Sequence, residues 1–410
     1  MKKRILIICP IVPYPENGAE QSDRSNGIRQ LVRLGFEVRV IAKRRDYQKD
    51  IDIENFSRAV GGISVKTVLY KYSLSGKSFF KKIILILKRI TNLKYYDGAA
   101  FEYFDSEIQT IVKNEVKDWK PDLLWFEYTY LWPLFHIAKE NNIPIITRSI
   151  NFEPRHFLDE DGRNLINFVR SIPKYLSEYR VVKNSNLIFS ITPQEEKVYV
   201  YLGARKAITL PLRGLHVMNQ HYVNESNFAS NNPLNLYFMG STYNVSHNRR
   251  AARFIITELA PQILKHFGKD FIINIIGAKL PNDLVAKLPA NVKYSGFVKD
   301  LNLFLEGMDI AIAPSFYGAG MQQKIFEPLM RGFPSIVSGR GLAEYHFEVN
   351  EEVLLADSVD QYIDKLRYLK LNPGEAKKLG NNARIKALKL FGQNVIDKIV
   401  LDSIGTVLGI

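Results

Sequence analysis

One cysteine, Cys9, occurs in 410 residues. No intramolecular disulfide is possible, which fits a reducing compartment. Cys9 lies in the apolar run "RILIICP", where an inert buried thiol is expected rather than a nucleophile. No run approaches the roughly 18 consecutive apolar residues that a membrane-crossing helix needs. The opening "MKKRILIICPIVPYP" sets basic residues before apolar ones, as a secretory leader does. Its apolar part is short, Pro10 and Pro13 interrupt it and no small-residue cleavage site follows, so it reads as a first strand. No short-period repeat or low-complexity tract is found. Acid is missing from one place in particular. From Asn55 to Tyr96 there is no Asp or Glu, while Arg58, Lys66, Lys71, Lys77, Lys81, Lys82, Lys88, Arg89 and Lys94 all fall there. The formal net charge of +14 is therefore concentrated locally, and it admits nucleic acid, an anionic membrane face or acidic small molecules as partners.

What is present is ample core. With 46% hydrophobic and 24% charged residues over this length, two globular domains are expected, and a disordered or fibrous chain is excluded. The first half alternates apolar strand-length runs ("RILIICP", "EVRVIA", "PDLLWFEY", "IPIITRSI", "NLIFSIT") with helical or polar segments, the rhythm of a doubly wound parallel sheet. The polar stretch "NQHYVNESNFASNN" is the best linker. After it the rhythm restarts with "LNLYFMG", "FIINIIG", "VKYSG", "MDIAIAPS" and "PSIVSG". The expected organisation is a Rossmann-like α/β domain over 1–215, a linker over 216–232, a second Rossmann-like domain over 233–385, and a C-terminal helix over 386–410 returning to the first. Two such domains would face across a cleft at the carboxyl ends of their strands, where open α/β sheets bind ligands.

The chemistry concentrates in "GAGMQQKIFEPLMRGFP", residues 318–334. Gly318 and Gly320, on either side of Ala319, let backbone amides approach a ligand before a helix begins near Met321. Those amides and the helix start form an anion site. Lys324, one turn in, can reach a phosphate. Glu327, on the same face, can accept hydrogen bonds from two ribose hydroxyls. A plain turn followed by a solvated ion pair fits the same letters. Pro328 removes the bond from its own nitrogen to the Lys324 carbonyl, so a kink is expected. Three further loops leave strand ends: Gly240 and Ser241, with Ser246 or Asn248 as helix cap and Arg249 and Arg250 as diphosphate contacts; Gly277 and Lys279; and Gly296, Phe297 and Val298, whose backbone could read a base edge.

In order and spacing, "LYFMGSTYNVSHNRRA", "NIIGAKLP", "VKYSGFVKDL", "MDIAIAPSFYGAGMQQKIFEPLMRGFPSIVS" and "GNNARIKAL" resemble the donor domain of GT-B glycosyltransferases, family 4 (glycosyl transferases group 1). "ILIICPIVPYPENGAEQSDRSNGIRQLVRLGFEVRVI" is similar to the acceptor-domain start of that family. The resemblance implies a retaining hexosyltransferase that uses a UDP- or GDP-sugar as donor and needs no metal or other cofactor. Glu327 matches the ribose-binding glutamate. Lys324 matches a lysine of the "GAGxxxK" branch, near the diphosphate. The commoner branch has a sugar-contacting glutamate where Ala319 stands, an Arg and Lys pair where Ser241 and Tyr243 stand, and a histidine where "TRSINFEPRH" has Ser149 and Asn151. Leaving-group charge would fall to Lys324, Arg249, Arg250 and the loop amides.

On the first domain, Gly18 and Ala19 are small enough to admit the donor. Glu16, Glu127, Asn151 and Glu153 follow strand ends and are the expected acceptor contacts, with Glu20, Asp23 and Arg24 nearby. Tyr128, Tyr130 and Trp132 can stack on sugars or pack. Within the acid-free segment, residues 77–94 read as a basic amphipathic helix. Phe79, Ile83, Ile86 and Ile90 form its stripe, Phe80, Ile84 and Leu87 flank it, and Leu85 falls on the polar side; contact with an anionic membrane is expected, against the alternative of a helix packed on its own sheet with lysines outward. A glycan or lipid-linked acceptor in cell-surface polysaccharide synthesis would suit it, with the protein in the cytoplasm or peripheral on the cytoplasmic membrane face. The alternatives are a sugar-nucleotide epimerase on the same fold, for which no acid and base pair stands out, and a nucleic-acid-binding protein, for which no motif is found.

Overall fold

The computed structural model describes residues 2–16, 18–71, 78–90, 97–218, 224, 228, 231–318 and 320–410. Most of the expected linker and Ala319 lie outside these residues. The chain forms two compact units, Met1–Arg213 with Ile396–Ile410, and Gly214–Val395.

The first unit is built on a seven-stranded sheet: β1 (Arg4–Cys9), β2 (Glu37–Arg44), β3 (Ser64–Leu69), β4 (Leu123–Phe126), β5 (Ile145–Arg148), β6 (Leu187–Ser190) and β7 (Ala207–Thr209), in the order β3-β2-β1-β4-β5-β6-β7. Every strand pair is parallel. The central strands are buried along nearly their whole length, which is why their sequences are unbroken apolar runs rather than alternating ones. The second unit repeats the plan with β8 (Leu234–Thr242), β9 (Phe271–Ala278), β10 (Val292–Gly296), β11 (Ile310–Ala313), β12 (Ser335–Val337) and β13 (Leu354–Leu355), ordered β10-β9-β8-β11-β12-β13 and again all parallel.

Three strands, β3, β7 and β13, go beyond those legible in the sequence. Each sits at a sheet edge and is short or only half covered, so it carries no continuous apolar run. The long helical pattern at the C-terminus is two helices, Pro373–Phe391 and Gln393–Leu408, divided at Gly392. Ile396, Val400 and Ile404 of the second are buried in the first unit's core beside β1, β2 and β4. Gln30 and Arg33 hold Asp397, with Nε2 to Oδ1 at 2.8 Å and Nη1 to Oδ2 at 2.6 Å.

Candidate functional site

In the second unit, β8 and β11 are neighbours, and the loops at their carboxyl ends meet. Gly318 and Gly320 take φ of 97° and 71°, the left-handed region that favours glycine. A Cβ at Gly318 would stand 2.9 Å from Gln322 Nε2 and 3.2 Å from the His247 ring. Gln322 closes the loop on itself by donating to the Tyr317 carbonyl (3.0 Å) and accepting from Ser315 Oγ. The Arg250 guanidinium lies 4.5 Å from the centre of the Tyr317 ring. The β11 loop then enters the helix Gln323–Met330, which has no side-chain cap at its start and runs on through Pro328 to end two residues later.

Lys324 is buried, and its Nζ donates to Asn248 Oδ1 at 2.8 Å. Asn248 in turn donates to the Thr242 carbonyl at 3.1 Å. The lysine is thus held against the end of β8 by a residue 76 positions away in sequence. This corrects the expected cap: neither Ser246 nor Asn248 caps the helix Ser246–Phe254, whose cap position is Val245 with no side-chain bond. The Asn248 side chain serves Lys324 instead.

Glu327 is also buried, with three donors on its carboxylate. Arg331 Nε and Nη2 reach Oε1 at 2.9 and 2.8 Å, and Gln323 Nε2 reaches Oε2 at 2.8 Å. Arg331 is anchored by Asn302 Oδ1 at 3.0 Å. A carboxylate offers about four acceptor sites, so a ribose would have to take the place of the Gln323 amide. Gln323 and Arg331 were missed in the sequence, although their positions four before and four after Glu327 are a readable helical signal.

The other donor-side positions divide. Met321 is buried, Arg249 and Val298 are half-buried, and Ser241, Arg250 and Phe297 are exposed. Gly277 has a reason of its own to be glycine: at φ 131° a Cβ would fall 2.0 Å from the Gly240 carbonyl oxygen. Gly240 and Gly277 therefore let β8 and β9 approach where the β8 register shifts, between Met239 and Thr242. Ala319 lies outside the described residues.

In the first unit, Glu127 corrects the sequence reading. It is fully buried, and both its oxygens accept from Arg213, each at 2.8 Å. Arg213 also donates to Asp23 through Nη2 and its backbone amide, both at 2.7 Å. Burial alone would raise the Asp23 pKa, but Arg213 and Arg148 hold it well below the ordinary carboxylate range. Glu127 and Asp23 are therefore occupied within the fold rather than open to an acceptor. Glu16 is paired with Arg29. Gly18, in extended conformation, precedes the helix Ala19–Arg33, which Ala19 opens. Asn151 is half-buried, and its carbonyl accepts from Ser149 Oγ at 3.0 Å. Glu153 begins the helix Glu153–Asp161 and accepts from Tyr128 and from Lys174, the latter at 3.3 Å.

Two buried carboxylates that the sequence did not disclose fix this last loop. Glu195 Oε1 accepts from the Phe152 amide at 2.9 Å, and Glu178 Oε1 from the Glu153 amide at 3.2 Å. Glu178 also takes Thr129 Oγ1 at 2.8 Å and Tyr199 OH at 2.9 Å. Burial, and for Glu178 the nearby Glu153 charge, push their pKa values up to about 8 and about 7.

Residues 233–372 match the family model described as glycosyl transferases group 1. No curated protein matches the chain. Among solved structures, sucrose-phosphate synthase from Thermosynechococcus elongatus superposes with a TM-score of 0.69 at 13% identity, covering 100% of both chains. TarM does so at 0.67 and 12%, covering 98% of each. Anabaena HepE in complex with UDP gives 0.65 and 13%, covering 99% of this chain and 100% of its own; HepE is also similar in its complex with UDP-glucose, at 0.62 and 12%, covering 98% and 99%. Residues 233–372 are therefore similar to glycosyl transferases group 1, and the chain has the GT-B fold of these structures.

Proposed function

We propose that the protein is a retaining, metal-independent family 4 hexosyltransferase that takes its sugar from a UDP-sugar and passes it to a glycan or lipid-linked acceptor in polysaccharide synthesis. The observation that carries this is the buried Lys324, held by Asn248 beside the left-handed Gly318–Gly320 corner, three residues before the carboxylate of Glu327. The UDP and UDP-glucose complexes of HepE favour uracil over guanine. As the bond between the anomeric carbon and the diphosphate oxygen breaks, negative charge grows on the diphosphate. Lys324, the loop amides and Arg249 or Arg250 stabilise it. The acceptor oxygen bonds to the anomeric carbon on the face the diphosphate leaves, and its proton passes to a phosphate oxygen, releasing UDP. Thermal shifts across UDP- and GDP-sugars test this. A UDP-sugar should stabilise the native chain and not the Glu327→Ala variant; stabilisation of both would remove Glu327 from the site.

Peripheral contact with an anionic membrane face belongs to the same reading. In the helix Phe79–Ile90, Phe79 is 72% and Phe80 77% exposed. Ile83, Ile84, Ile86 and Leu87 are exposed with them, beside exposed Lys81 and Lys82. Leu85, expected on the polar side, is instead buried. Residues 77 and 91–94 of the expected segment lie outside the described residues. The helix Leu165–Asn184 of the same unit exposes Leu165, Val169, Ile172 and Leu176 at helical spacing, a second apolar face of the kind that marks an interaction surface. Each lysine near an anionic bilayer is worth about 1 kcal/mol. Lys81→Glu with Lys82→Glu should thus lower sedimentation with phosphatidylglycerol vesicles at least tenfold, and unchanged sedimentation would sink the membrane contact. No helix among the described residues is long and apolar enough to cross a membrane.

A further inference from the structure

Arg24, on the helix Ala19–Arg33, is only 3% exposed, yet its Nε and Nη2 make no hydrogen bond among the described residues. Among the described residues its close charged contact is Glu20 Oε1, 2.5 Å from Nη2 but outside hydrogen-bonding angle. A guanidinium stripped of water and left with unmet donors is a costly arrangement. Elsewhere in this unit the buried arginines Arg148 and Arg213 also leave Nε unbonded, but their terminal nitrogens are anchored by carbonyls or carboxylates. Arg24 differs because its partner carboxylate belongs to a half-exposed side chain one helical turn away, free to swing into solvent.

The surroundings suit a sugar. The Arg24 guanidinium lies 5.7 Å from the centre of the Tyr128 ring. Tyr128 packs on Tyr130 at 4.4 Å, and Tyr130 stacks on Tyr103 at 5.9 Å. Tyr128 also donates to Glu153, one of the expected acceptor contacts. Tyr130 is half-buried, so part of this aromatic shelf remains open. The shelf follows β4 and Arg24 follows β1, adjacent strands whose carboxyl ends lie side by side.

We infer that Arg24 and the Tyr128–Tyr130 shelf form an acceptor subsite for a sugar bearing an oxyanion, a phosphate ester or a carboxylate, with Glu20 holding its place when the subsite is empty. The inference rests on the transferase reading for the word acceptor, but not for the binding itself. The incoming oxyanion takes the Nε and Nη2 donors in a two-pronged contact that suits guanidinium, while the sugar ring lies against the open part of Tyr130. Glu20 turns outward, so binding exchanges one anion for another beside the buried guanidinium.

Calorimetric titration of the full chain with glucose, glucose 6-phosphate and glucuronic acid tests this in the native protein, Glu20→Gln and Arg24→Gln. At least one charged sugar should bind the native chain about tenfold more tightly than glucose, and the preferred one identifies the oxyanion. Glu20→Gln, an exposed change that leaves the core intact, should tighten that sugar several-fold by removing the competitor. Arg24→Gln should erase the preference. Equal binding of all three sugars by the native chain, or no tightening in Glu20→Gln, overturns the subsite. UDP-glucose titrated into the native chain and Glu327→Ala reports on the second unit separately. If UDP-glucose fails while the charged sugars still discriminate, the donor reading falls and the oxyanion subsite stands.

Discussion

Both units wind a parallel sheet in the same order outward from their first strand, but they spend charge differently at the strand ends. In the first unit, Asp23, Glu127, Arg148 and Arg213 are all buried and bound largely to one another and to backbone. Lys43 is likewise closed off by Glu102 at 2.6 Å and Asp105 at 3.1 Å. In the second unit the corresponding loops offer glycine corners, backbone amides and one lysine held by a neutral amide. The Glu327–Arg331 pair there lies within a single helix. Ion pairs built across distant segments fix a scaffold, since breaking one strands a charge. The difference separates a unit whose buried charges mostly hold shape from one that sets a buried lysine beside a glycine corner.

Removing Arg213 should break this comparison most forcibly. Arg213→Met leaves Asp23 and Glu127 buried without their cation, at a cost of about 3–5 kcal/mol. Urea unfolding should show the loss in the first unit alone; a change below about 1 kcal/mol would mean that those charges are not a scaffold. Next in size is Lys324→Ala. If the lysine stabilises the departing diphosphate, transfer from UDP-glucose should slow by about 10²–10³, with the chain still folded by circular dichroism. Asn248→Ala, which frees the lysine without removing its charge, should slow transfer less. Equal losses in the two variants would make the position of Lys324 matter as much as its charge.

How legible each unit is in the sequence follows from the same difference. The second unit's chemistry is local: Gly318, Gly320, Lys324 and Glu327 stand within ten residues, and helical periodicity places the last two on one face. The strand ends around them were readable because central parallel strands are continuous apolar runs. Lys324 to Asn248 was not readable, because it joins the first turns of two helices through the sheet order rather than through spacing. In the first unit almost nothing at the strand ends is local. Asp23 meets Arg213 across 190 positions and Thr129 meets Glu178 across 49. Glu127 therefore looks like any loop carboxylate in the sequence, and only the fold shows both its oxygens taken. Phe79 and Phe80 were legible as an apolar stripe, but which side of that helix faces the protein depends on the burial of Leu85.

The smallest expected effect sharpens the comparison from within the scaffold. Glu178 carries a folded pKa of about 8, against an ordinary 4.5, because burial and the nearby Glu153 disfavour its charge. The native state then holds a proton that the unfolded chain gives up, so the group's contribution is fully present below about pH 4.5 and is lost as pH rises through about 8. Glu195, raised to about 7 by burial, acts in the same direction over a narrower range. Asp23 acts oppositely: its lowered pKa stabilises the fold above the ordinary aspartate range and is lost only in stronger acid. The first unit should therefore be more stable to urea at pH 5 than at pH 8, by at most about 1.4 kcal/mol per pH unit for each proton held. Glu178→Gln keeps an acceptor for the Glu153 amide and for Thr129 but cannot ionise. It should flatten that slope and gain stability on the native chain as pH rises towards 8. A slope as steep in Glu178→Gln as in the native chain would place the held proton on another group and leave Glu178 charged within the scaffold.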